Sequence, residues 1–186
     1  MEAGRMKFYK DEKARVNYDY KWGRAALFFF NIINYLFLFS TERIDYERQH
    51  GIQMNFITPD ANFISFFNIG IWGGGTIILV YLNFRLFWIR EQGELVFLMK
   101  KYEILPISTK DIFQAKWKIM VQAGIAYLIW NAGFYAGVML LNLYPMVDAR
   151  RLAGEFLFSA VTLGTVLLLL GVWNVVTYLW MEKNGG

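Results

Sequence analysis

The chain has 186 residues, of which 56% are apolar and 19% aromatic, with a mean hydropathy of +0.31. A soluble domain carries about 45 to 50% apolar residues even with glycine counted, so this composition excludes an ordinary soluble fold and points to a membrane protein. The net charge of +4 is too small to call for nucleic acid, while the absence of cysteine and the single histidine, His50, argue against disulfides, thiolate metal sites and a histidine-based metal cluster.

In chain order, the first predicted element is an interfacial helix in "MKFYKDEKARVNYDYKWGR", with Phe8, Tyr18, Tyr20 and Trp22 available to lipid. It leads into the first of four apolar blocks, Trp22 to Ser40, Ala61 to Trp88, Trp117 to Leu143 and Leu152 to Trp180. Each is near the roughly 20 residues that a helix needs to cross a bilayer. No small-residue cleavage site follows "YLFLFSTER", so the first block reads as an uncleaved anchor. A soluble bundle is excluded by mass: 186 residues cannot surround four helices that are apolar on every side. The expected fold class is all-α, a polytopic membrane protein with a single transmembrane domain over residues 1–186.

Lys and Arg are unevenly placed between the blocks. Residues 1–24, 85–118 and the tail hold fifteen, against four in the two remaining loops. The positive-inside rule puts both termini and the central loop in the cytoplasm of a multi-pass protein of the cell membrane. Trp22, Trp88, Trp117 and Trp180 fall at the same ends, where an indole finds apolar contact and water together. The cytoplasmic charge also suits anionic membrane lipids.

The central loop, 89–116, is the most carefully punctuated part of the chain. In "REQGELVFLMKKYEILP", Leu95, Leu98, Met99, Tyr102 and Leu105 recur at helical spacing among charges, which predicts an amphipathic helix outside the bilayer. Pro106 stops it. A restart follows: Ser108 and Asp111 form a capping box, and Ile107 and Ile112 have the spacing of a hydrophobic staple. The sequence thus describes an elbow, an amphipathic segment, a break and a capped helix rising through Lys116 and Trp117 into the third span.

The stretch "REQGELVFLMKKYEILPISTKDIFQAKWK" resembles the cytoplasmic loop of type-2 ABC transporter permeases of the exporter class. Glu91, Gly93 and Glu94 match that family's acidic turn, Leu105, Pro106, Ile107 and Ser108 its central motif, and Lys110, Asp111, Ile112 and Lys116 the start of its next helix. The resemblance implies a coupling helix that docks on a cytoplasmic ATP-binding subunit, with Glu91, Gly93, Glu94, Leu105 to Ser108, Lys110 and Asp111 at the contact. It also implies the N-terminal interfacial helix. The family usually has six spans per subunit where this chain has four, so the translocation path would call for a second permease subunit, like or unlike.

Nothing in the sequence binds nucleotide. There is no G-x-x-x-x-G-K-[ST], and the glycine run Gly73 to Gly75 lies inside a predicted span. ATP and Mg are therefore expected on the partner subunit, with no cofactor or metal held by this chain. Gly70 with Gly74, and Gly133 with Gly137, have the G-x-x-x-G spacing of helix packing faces. Ionisable groups are confined to the span ends, Arg85 and Glu155 among them, so no acid lies deep in the membrane to relay protons or bind sodium; this favours a path for something amphipathic or apolar, with Asn31, Asn34 and Asn131 as candidate lining residues. The function expected is a permease subunit exporting an amphipathic substrate such as a peptide. The alternative is a membrane anchor or immunity protein that binds a peptide or recruits a cytoplasmic factor through the same elbow. No catalytic constellation supports an intramembrane enzyme.

Overall fold

The computed structural model describes residues 2–19, 23, 25–26, 29–34, 65–102, 107–141 and 149–184. In order these form helix α1 (Glu2–Asp19), helix α2 (Ile69–Phe87), strands β1 (Trp88–Glu91) and β2 (Glu94–Phe97), a single helical turn α3 (Leu98–Lys101), and the long helices α4 (Thr109–Leu141) and α5 (Ala149–Asn184). Residues 29–34 are helical as well. The chain is mostly helical, and Ile69–Phe87, Thr109–Gly137 and Arg150–Lys183 are long and apolar enough to cross a membrane. These three segments give the protein its membrane-spanning character. The predicted first span, 22–40, falls largely outside the described residues.

The start of α2 is set by Asn68, whose side-chain oxygen accepts from the backbone N–H of Gly70 (3.0 Å) and Ile71 (3.2 Å). That satisfies two of the donors a helix start leaves open, so the helix begins at Ile69 rather than at Ala61. Inward-facing Leu79, Leu82, Leu86 and Phe87 then meet Ile112, Ile119 and Met120 of α4 in one buried cluster. Helix α2 packs on both α4 and α5, and α1 packs on α4. Much of α5 is exposed and apolar, including Leu168, Leu169, Val172, Trp173 and Val176, as a lipid-facing helix should be.

The two G-x-x-x-G pairs differ. A Cβ on Gly70 would collide with the Asn34 side chain, and one on Gly74 would sit 2.7 Å from the Tyr127 hydroxyl. Close approach within the chain requires glycine there. An added Cβ on Gly133 or Gly137 meets nothing within 4 Å, so this second pair packs on no described residue.

The largest departure from the sequence reading is between Trp88 and Phe97. In place of an amphipathic helix there is an antiparallel hairpin with Trp88 opposite Phe97 and Glu91 opposite Glu94. The two-residue turn has positive φ at Gln92 (49°) and Gly93 (93°), the conformation that matches the twist of a tight hairpin and that glycine adopts without strain. Trp88 and Phe97 pack edge to face at 5.0 Å, and Phe97 and Met99 are buried in the main cluster. Among the described residues of this segment the α-helical part is Leu98–Lys101. The aromatic and branched residues flanking Gln-Gly favour a hairpin, and burying Phe97 fixes its register.

Candidate functional site

The elbow at the start of α4 is built by its cap. The Asp111 N–H donates to Ser108 Oγ (3.1 Å), and the Ser108 hydroxyl donates to Asp111 Oδ2 (2.8 Å). The carboxylate thus returns to the hydroxyl, not to the Ser108 backbone N–H of the usual capping box. Ile107 and Ile112 belong to the same apolar cluster. Leu105 and Pro106 lie outside the described residues. On the hairpin, Gly93 and Glu94 are exposed and Glu91 is half-exposed. Glu91 and Glu94 face each other directly, an arrangement that is destabilising on its own, and Lys101 forms an ion pair with Glu91 that offsets it. Lys110 is exposed beside the cap.

Behind the elbow sits a charge cluster that the sequence did not reveal. Glu12 of α1 is only 6% exposed and Lys116 of α4 is fully buried. Glu12 Oε2 lies 3.5 Å from Lys116 Nζ and accepts from Arg15 at 2.8 Å, while its Oε1 accepts from the Tyr102 hydroxyl at 2.8 Å. Lys116 also donates to the Leu86 carbonyl at the end of α2 and lies over the Tyr102 ring, 4.8 Å from its centroid. Arg15 donates to the Arg85 carbonyl at 3.1 Å. Burial by itself raises the Glu12 pKa, but Lys116, Arg15 and the Tyr102 hydroxyl outweigh it and hold the carboxyl below its usual value. Burial, then the adjacent carboxylate, push the Tyr102 phenol up. Phe8 packs edge-on against Tyr102 at 5.5 Å, so it faces protein rather than lipid.

A third feature is a cavity of about 850 Å³ lined by α1, by Ala25, Phe29 and Asn31, and by α2 and α4. Its apolar wall includes Phe29, Ile78, Leu82 and Trp130, and its polar positions include Lys13, Asn31 and Gln122. Gln122 Oε1 accepts from the Tyr9 hydroxyl (2.7 Å) and from Lys13 Nζ (3.1 Å). The three asparagines singled out by the sequence are placed differently. Asn31 lines the cavity with both amide atoms buried and without a hydrogen-bond partner among the described residues. Asn34 donates to Asn68 Oδ1 at 3.0 Å. Asn131 donates to the Tyr127 carbonyl one turn back at 2.8 Å, and its oxygen has no partner among the described residues.

No group of three or more candidate metal ligands occurs among the described residues. No family model, no curated protein and no solved structure matches the chain. The reading of this site therefore rests on its own geometry and chemistry.

Proposed function

We propose that the chain is the permease subunit of an ATP-driven exporter of the cell membrane, with both termini and the hairpin in the cytoplasm. It works with a separate ATP-binding subunit, which holds ATP and Mg, and with a second permease subunit. The cargo is amphipathic or apolar, a peptide being one such molecule. One observation carries this reading: the hairpin does not hang on a loose loop but is fixed to the bases of two membrane helices. Phe97 and Met99 are buried in the core shared by α2 and α4, and Tyr102 beyond them is joined through Glu12 to Lys116. A close-packed interior transmits displacement, so a partner that grips the exposed tip around Gly93 and Glu94 moves α2 and α4 together.

The test is a mild-detergent pull-down of the chain from its host, with mass spectrometry for a P-loop ATPase. The ATPase should remain with the native protein and be lost from the Glu91→Lys, Glu94→Lys double variant while membrane insertion is unchanged. Absence of any ATPase from the intact, folded chain would move the assignment to a membrane anchor or immunity protein. That second reading draws on the cavity, which requires no nucleotide to take up a ligand.

A further inference from the structure

We propose that the cavity beside α1 is a binding site for a single-chain amphipath with an anionic head group, of the lysophospholipid or fatty-acid type. Four observations lead there. The volume of about 850 Å³ lies within the range of roughly 300 to 1,000 Å³ of small-molecule sites. The lining is largely apolar and aromatic, Phe29, Ile78, Leu82 and Trp130 among them, which suits a hydrocarbon chain. Among the described lining residues there is no carboxylate, whereas the Lys13 ammonium is present. Asn31, 1% exposed, presents both an NH2 and a carbonyl oxygen that meet no partner among the described residues.

The last point calls for a ligand rather than an inert void. A buried, unmade amide hydrogen bond is costly and in native proteins nearly always has an explanation. An oxygen-rich head group supplies acceptors for the Asn31 NH2. Lys13 keeps further N–H donors after its bond to Gln122, and Gln122, its oxygen already accepting from Tyr9 and Lys13, has its NH2 to offer. Lys13 and Gln122, which meet at 3.1 Å, therefore offer donors and positive charge to a head group, and hydrocarbon fills the rest. Since a chain leaving a bilayer or micelle for an apolar cavity gains little from the hydrophobic effect, selectivity resides in the head group. Binding itself needs no partner subunit; only the role of this site as the place where cargo is received rests on the permease reading.

Native mass spectrometry of the purified chain, without nucleotide, tests this with lysophosphatidylglycerol and lysophosphatidylcholine as matched probes. The native protein should retain one lysophosphatidylglycerol at least tenfold more tightly than lysophosphatidylcholine. Lys13→Gln, at an exposed position, should reduce that preference to about twofold or less. Ala126→Trp, which fills the cavity from an exposed lining position, should abolish retention of both. Equal retention of the two probes by the native protein, or an undiminished preference in both variants, overturns the proposal. Loss of the ATPase contact in the pull-down leaves this result untouched, so the two readings fail separately.

Discussion

The two ends of the bundle are each secured by one glutamate, in opposite ways. At the hairpin end, Glu12 is buried among three charged or phenolic side chains drawn from α1, α4 and the segment after α3. At the other end, Glu155 of α5 accepts from the backbone N–H of Phe66 (2.6 Å) and Phe67 (3.4 Å) and from Arg151 Nε (3.0 Å). Beside it Phe66 is buried edge-on against Tyr135, with ring centroids 5.5 Å apart. The first clamp joins side chains across elements, so its members depend on one another. The second ties α5 to the backbone just before α2, where Tyr127 of α4 separately donates to the Gly70 and Ile71 carbonyls at 3.1 Å. A lever is better served by the first arrangement, in which nothing moves alone.

The largest effect should come from splitting the Glu12 cluster. Lys116→Met removes the buried cation facing a buried carboxylate and should destabilise the fold by about 3 kcal/mol, read by thermal unfolding in detergent. Adding Glu12→Gln to it should recover a substantial part, because the uncompensated charge is gone. Glu155→Ala should cost about 2 kcal/mol, the worth of charge-assisted hydrogen bonds, and a second substitution at Arg151 should add little to it. If the two losses were reversed in size, the contrast between the ends would be wrong.

The hairpin end also responds to pH. The Glu12 carboxyl is held below the ordinary carboxylate value of 4.5, so its contribution is fully present above about pH 4.5 and is lost as pH falls through its folded pKa. Native protein should therefore lose stability more steeply than Glu12→Gln as pH falls below about 4.5, in unfolding curves measured at stepped pH. A parallel course would remove Glu12 from this role. Smaller effects follow. Gly93→Ala, at φ 93°, should cost about 1 kcal/mol and weaken capture of the ATPase. Asn83 and Asn174 exchange amide hydrogen bonds of 3.5 and 2.5 Å between α2 and α5. Replacing both by Leu should change stability by about 0.6 kcal/mol, the least of the set.

What could be read from the sequence was local. Hydropathy marked the three long helices because a span needs only contiguous apolar residues, and Ser108 with Asp111 marked the start of α4 because a cap is made within four residues. The hairpin was misread because Leu95, Leu98 and Met99 fit a helical period, while the contrary signal was confined to Gln92 and Gly93 between two aromatic, branched runs. The Glu12 cluster was illegible for another reason. Its members are an acid and a lysine among many, and only folding brings Tyr102 to a carboxylate ninety residues earlier. The cavity has no sequence signature at all, since Asn31 differs from Asn34 and Asn131 only in what surrounds it.

The Glu12 seat also orders events during synthesis. Helix α1 emerges from the ribosome long before Tyr102 and Lys116, so until they follow its carboxylate has only Arg15 of the same helix from this cluster. At about 5 to 20 residues per second, ninety residues take roughly 5 to 18 s. Docking of α1 is then the step that closes the hairpin end, and a nascent chain halted before Tyr102 keeps that latch open.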